Sequence, residues 1–267
     1  MSNLFQIQDR LDPQPDEKLT ERLQLPVRLL PSEIQGMLAL FAQATPWDQL
    51  ALSIYSAAGA ARYLEALAAE ADLQKDHQFW GLKDAAGGLL AAAHTRTLGL
   101  ASHLNLFAVE PKLQGQGLGT RLLTLWEGLA RSQGAAEQTL DVADTNTEAR
   151  RLYLRHGFGD RSAAHEFRLC LPPPAASTAE LAMHQWPSAL ANLETYGFGQ
   201  FQVALEGTLL AVNMTRTGFR SASADPRILA LLQRLDPERE ILLRTPDRHQ
   251  NAAWEFKGTL HRMQKNL

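Results

Sequence analysis

Three consecutive prolines, Pro172-Pro173-Pro174, constrain this chain more than any other feature of it. None can donate to a sheet ladder, and the run cannot continue a helix, so extended polyproline geometry is expected there. A chain of 267 residues is long enough for one large core or two ordinary ones. The prolines favour two. The expected division is a polar arm over residues 1–25, a first domain over 26–171, a linker over 172–177 and a smaller second domain over 178–267.

Hydrophobic residues make up 45% of the chain, enough for a buried core, yet no run of about 18 apolar residues exists to span a membrane. Lys and Arg number 26 against 29 Asp and Glu, and neither side of the linker is a polycation, which argues against a nucleic-acid partner. The single Cys170 excludes a disulfide framework and a Cys-rich metal site, and is expected to be a buried small residue. No HxxxH or HExxH pattern is present, so no metal is expected. Met1–Arg10 lacks a charged segment followed by an apolar one, so cytoplasmic location is the expectation.

The first 171 residues alternate strands and helices in a mixed α/β order. A strand at Val27–Leu30 leads past Pro31-Ser32-Glu33 into a helix carrying Ile34, Met37, Leu38 and Phe41. A second helix is read over Tyr63–Leu73. Strands at Gln78–Leu82 and Leu89–Thr95 flank the turn Asp84–Gly88, and His103–Val109 is the next strand. Leu118, Leu122, Leu125 and Leu129 form a helical stripe ending at Gly134. Thr139–Ala143 is a strand, Asn146 precedes a short helix closed by Gly157, and Glu166–Leu171 is the last strand before the prolines.

The remainder echoes this order. Gln78-Phe79 to His94-Thr95-Arg96-Thr97 is mirrored by Gln200-Phe201 to Met214-Thr215-Arg216-Thr217, with Glu206-Gly207 at the hairpin turn. Leu140, Val142, Asn146, Tyr153 and Gly157 fall opposite Ile241, Leu243, Asp247, Trp254 and Gly258 at a constant offset of 101. Two matches in the same order indicate a tandem repeat.

Gln114-Gly115-Gln116-Gly117-Leu118-Gly119-Thr120 lies between a strand and an amphipathic helix. Glycines there let backbone approach a ligand, and the free N–H groups of a helix's first turn attract an anion. No Lys follows, so a P-loop fails. The dinucleotide fingerprint fails as well, because Thr120 holds its third glycine position and Glu110-Pro111-Lys112-Leu113 separates loop from strand.

Val109-Glu110-Pro111 followed by this loop and its helix resembles the acetyl-CoA signature of the GCN5-related N-acetyltransferase (GNAT) superfamily, Gln/Arg-x-x-Gly-x-Gly/Ala. Asn146-Thr147-Glu148-Ala149, with Leu152-Tyr153 and Gly157-Phe158, resembles its second motif. The resemblance covers about Val27–Leu171. It implies a mixed-sheet acyl-CoA N-acyltransferase fold, with a smaller, degenerate second copy behind it. Where that copy should carry a phosphate loop it reads Ser223-Ala224-Asp225-Pro226-Arg227-Ile228-Leu229, without a glycine, so it should not bind CoA.

The resemblance further implies acetyl-CoA as donor. Its diphosphate would lie on Gln114, Gly115, Gln116, Gly117, Leu118, Gly119 and the Thr120 hydroxyl. Its pantetheine would pair along Phe107 and Val109, with Asn146 beside the chain or acting as a helix cap. Tyr153 would donate a proton or hydrogen bond to the departing sulfur, as a phenol with an ordinary pKa near ~10 can. His103, six residues before Val109 and on the same face by strand parity, is the candidate base, with Glu110 as a weaker one on the opposite face. Trp47-Asp48 and Trp80 are candidates to line the acceptor pocket. The expected function is acetyl transfer to a primary amine of a small molecule or peptide by direct attack in a ternary complex. A non-catalytic acyl-CoA-binding module is the alternative, and monomer or homodimer stays open.

Overall fold

The computed structural model describes residues 26–46, 50, 53–70, 73, 76–173, 175–248 and 252–267. The arm over residues 1–25, Trp47-Asp48 and Pro174 lie outside the described residues.

The first half contains β1 (Val27–Arg28), α1 (Ile34–Ala44), α2 (Ala60–Ala69), β2 (His77–Lys83), β3 (Leu89–Leu98), β4 (Ala101–Val109), α3 (Leu118–Ser132), β5 (Glu137–Ala143), α4 (Thr147–Arg155) and β6 (Gly159–Leu169). The second contains β7 (Ala182–His184), α5 (Trp186–Tyr196), β8 (Phe198–Leu205), β9 (Thr208–Thr215), β10 (Gly218–Ser221), α6 (Pro226–Leu235), β11 (Glu240–Thr245) and β12 (Trp254–Asn266). No helix among the described residues is long and apolar enough to cross a membrane.

All strands join one mixed sheet of order β1-β2-β3-β4-β5-β12-β6-β11-β10-β9-β8-β7. In the first half it carries a core on each face. One lies beneath α3 and α4 and holds Leu104, Val109, Leu118, Leu122, Trp126 and Leu140. The other lies beneath α1 and α2 and holds Ile34, Met37, Phe41, Leu64, Phe79 and Ala108. The second half has a core of its own around Phe201, Val212, Phe219, Ile228 and Ile241.

The two halves exchange their last strands. β12 lies between β5 and β6, pairing Met263 with Leu140, and Met263 is fully buried in the first half's core. In return β6 pairs with β11, Phe167 opposite Leu243. Each half also contains one parallel pair, β4 with β5 and β10 with β11.

The sequence echo holds through β11 and then stops. β8 and β9 form the expected hairpin, with Glu206 and Gly207 both at positive φ (50° and 79°), the backbone a two-residue turn matching strand twist requires. Leu140 and Ile241 both occupy strands, but Tyr153 is helical where Trp254 begins a strand. Three further readings are corrected. β6 starts at Gly159 rather than Glu166, because Gly159–Ser162 is an exposed polar segment held by pairing with β12, which leaves no apolar alternation to read. The buried stripe of α3 runs Leu118, Leu122, Leu123, Trp126 and Ala130. Cys170 is exposed, its thiol 3.7 Å from the Arg168 carbonyl oxygen, because β6 has already ended there.

Candidate active site

The site is organised by the separation of β4 from β5. Their parallel ladder runs only from Ala101 and Glu137 to Leu104 and Leu140. On its other edge β4 stays paired with β3, but Leu104 opposes Thr95 while Leu106 opposes His94, so Asn105 is an inserted bulge residue. A bulge bends its strand and increases local twist, which carries β4 away from β5. Asn105, Leu106 and Phe107 are half-buried where the gap opens, and the backbone of Phe107 to Val109 borders it.

The loop follows from Glu110-Pro111, which ends the strand. The Gln114 side-chain amide donates to the Val109 carbonyl at 3.3 Å, tying loop to strand. Gly115 and Gly117 sit at φ 77° and 81°, in the left-handed region a side chain rarely adopts. Gly117 is the N-cap of α3, and the first helical bond runs from Arg121 N–H to Gly117 O at 3.1 Å. The N–H groups of Leu118, Gly119 and Thr120 therefore precede the intrahelical pattern and present the positive end of the helix. A Cβ on Gly119 would lie 3.1 Å from Leu152 and 3.2 Å from Phe107, so this glycine lets α3 close onto both α4 and β4. Gln116 donates to the Lys112 carbonyl at 3.3 Å. The loop thus forms an anion cradle at one end of the β4–β5 gap.

Tyr153 lies on α4 among the residues of the α3-side core, 6% exposed, edge-on to Phe158. Burial pushes its phenol above the ordinary range, so it stays protonated at neutral pH. Asn146 caps α4, its side-chain oxygen accepting the Ala149 N–H at 3.2 Å.

His103 is placed differently from the parity reading. The Asn105 insertion reverses the alternation, so Val109 joins Leu104 in the α3-side core while His103 points to the opposite face. There it is buried, with Nδ1 2.9 Å from the Thr139 hydroxyl, and burial lowers its pKa to about 4. Trp80 packs against the α3-side core.

The face of the sheet carrying α1 and α2 holds a polar cluster that single-strand parity does not reveal. His94 has no exposure; its Nδ1 lies 2.7 Å from the Tyr55 hydroxyl and its Nε2 3.1 Å from His77 Nδ1. Asn105 Nδ2 is 3.5 Å from the same Nδ1. The signal was the turn at Asp84–Gly88, which fixes the β2–β3 register and sets Phe79 against His94 and His77 against Arg96. The same face continues into a groove of about 330 Å³ lined by Asp141, Arg161, Ser162, Arg244 and Arg262, with Asp141 the first β5 residue beyond the ladder. A recess of about 480 Å³ runs along α3, lined by Pro26, Thr120, Thr124, Leu125 and Leu129.

In the second half the position equivalent to the cradle is already filled. Asp225 caps α6 through the Arg227 N–H at 2.8 Å, and the Arg227 guanidinium folds back on the same carboxylate. Among the described residues no group of three or more His, Cys, Asp or Glu is placed to hold a metal.

Residues 45–158 match the acetyltransferase (GNAT) family, so this part of the chain is a GNAT domain. The described residues have the fold of a tandem GNAT protein. It is similar to a tandem GNAT protein from the clavulanic acid biosynthesis pathway, with TM-score 0.61 and 14% identity over 91% of this chain and 98% of that one. It is likewise similar to a GCN5-related N-acetyltransferase from Sphaerobacter thermophilus (TM-score 0.61, 16% identity, 92% of this chain and 96% of that one). A putative acetyltransferase from Pyrococcus horikoshii aligns at TM-score 0.63 and 14% identity over 92% of this chain and 90% of that one. No curated protein matches the sequence.

Proposed function

We propose that this chain is an N-acetyltransferase that moves an acetyl group from acetyl-CoA to a primary amine of a small molecule or peptide. The observation that carries this reading is the open β4–β5 gap ending at the Gly115–Gly117 cradle on the N-terminus of α3. The diphosphate of the donor meets the free N–H groups of Leu118, Gly119 and Thr120, and Gly115 leaves open space above the backbone. The pantetheine pairs with the free edge of β4 along Phe107 and Val109, where a backbone N–H polarises the thioester carbonyl.

The amine attacks the carbonyl carbon directly. The C–S bond breaks, and the thiolate takes a proton from Tyr153 or is held by its hydroxyl. A buried, protonated phenol suits that role. The acceptor enters from the face carrying α1, α2 and the groove at Asp141, to which β11 and β12 contribute Arg244 and Arg262. The second half contributes these strands and no donor site of its own.

The test is release of CoA thiol from acetyl-CoA across amines, amino acids, polyamines and peptides, alongside calorimetric titration of acetyl-CoA. Turnover on at least one amine is expected. Binding without turnover on any acceptor would instead support a non-catalytic acyl-CoA-binding module.

A further inference from the structure

We propose that Tyr55, His94 and His77 form a directional proton path from the acceptor amine to the surface, an inference that rests on the acetyl-transfer reading. The three side chains are joined end to end: Tyr55 hydroxyl to His94 Nδ1 at 2.7 Å, and His94 Nε2 to His77 Nδ1 at 3.1 Å. Desolvation keeps the half-buried Tyr55 phenol protonated, and both its hydroxyl and the donor-only Asn105 Nδ2 face His94 Nδ1, which makes that nitrogen the acceptor and leaves the ring's hydrogen on Nε2. That hydrogen points to His77 Nδ1, so His77 carries its own on Nε2. Each ring accepts on one nitrogen and donates from the other, all in one direction.

The middle of the path is its most buried point, with Tyr55 and His77 half-buried at the two ends. His94 has no exposure, its ring stacked on Phe79 with centroids 4.4 Å apart, whereas His77 is half-buried at the start of β2. The inner end lies at the gap, because Asn105, the bulge residue two positions before Phe107, is within 3.5 Å of His94 Nδ1. The titratable and charged groups around the path are Tyr63 beside Tyr55, Asp76 beside His77, and His103 on β4 with Arg96 on β3 beside His94. Burial and the Arg96 cation both hold the two histidines neutral, so neither traps a proton.

The step balances. The amine nitrogen gives its proton to the Tyr55 oxygen as the Tyr55 proton moves to His94 Nδ1. The His94 Nε2 proton moves to His77 Nδ1, and the His77 Nε2 proton passes to water. Water in the emptied cleft resets the hydrogens after product leaves. Tyr55, His94 and His77 remain uncharged at the end of the transfer.

Three measurements test the path: kcat against pH for wild type, Tyr55→Phe and His77→Asn; KM for acetyl-CoA in each; and the histidine tautomers by ¹⁵N NMR. Each variant is expected to lose about 10²-fold in kcat at neutral pH with KM for acetyl-CoA unchanged, the usual size of a general-base contribution. The deficit should close as pH approaches ~10, where the amine deprotonates in solution. Both His94 and His77 should be neutral Nε2–H tautomers. Deficits that stay constant with pH, or a hydrogen on His94 Nδ1, would overturn the path while leaving acetyl transfer intact. A wild type that acetylates no amine would overturn the acetyl-transfer reading and the path with it.

Discussion

Gly119 and Phe107 meet where α3 closes on β4: a Cβ on the glycine would stand 3.2 Å from the end of the phenylalanine ring. The contact joins the loop at the N-terminus of α3 to the strand edge along which the donor is proposed to lie. A side chain larger than methyl must push the helix N-terminus away from both Phe107 and Leu152. Gly119→Val is therefore expected to weaken acetyl-CoA binding at least tenfold by calorimetry. Gly128→Ala on the same helix, with nothing within 4 Å of the added methyl, should leave binding unchanged and stabilise the fold by a few tenths to about 1 kcal/mol.

Tyr153→Phe keeps the ring that packs against Phe158 and removes the hydroxyl proposed to serve the departing thiolate. Steady-state kinetics should show kcat reduced by about 10²-fold with KM for acetyl-CoA little changed, since general-acid contributions are of that order. Because burial raises the phenol's pKa, Tyr153 should introduce no alkaline limb below pH ~10.

Met263→Ala should destabilise the first half although the residue belongs to the last strand. Met263 is fully buried against the core that holds Leu140 and Trp126, and such truncations cost about 2–5 kcal/mol. Urea denaturation followed by tryptophan fluorescence, in which Trp126 reports that core, should register the loss. For the same reason residues 1–171 expressed alone should fail to give a cooperative unfolding transition, having β5 and β6 without the strand between them.

Stability should fall on mild acidification. Folding lowers the pKa of His103 to about 4 from an ordinary value near ~6.5, and lowers those of His94 and His77, so the unfolded chain binds more protons over that interval. The contribution is complete above pH ~6.5 and is lost as pH drops toward 4, at a slope of up to about 1.4 kcal/mol per pH unit for each fully responding group. His103→Gln, which can still bond Thr139, should flatten the dependence of the denaturation midpoint between those pH values.

The geometry of the glycine loop was legible in the sequence because it depends on local chemistry. Gly115 and Gly117 need left-handed backbone, and Gly119 needs the absence of a Cβ, so residue type alone marks them. The loss of the second cradle was legible at Asp225-Pro226 for the same reason. What stayed hidden depends on pairing between distant segments. β12 mixes Trp254, Phe256 and Leu260 with Lys257, His261 and Arg262, an alternation too irregular to announce a strand, and its place is fixed by residues of β5 and β6 that lie 85 or more positions away in the chain. The Asn105 bulge reversed the face of His103 relative to Val109, and no single-strand parity count can register an insertion. The His94 cluster joins residues 17 and 39 positions apart, visible only once the hairpin register is known.

Stoichiometry tests the central claim most directly. Calorimetric titration of acetyl-CoA into the intact chain should give one site per chain, since the first half alone carries Gly115, Gly117 and Gly119 at a helix N-terminus while Asp225 occupies the corresponding place in the second. Two sites per chain, or none, would contradict the assignment of a single donor site to the first half.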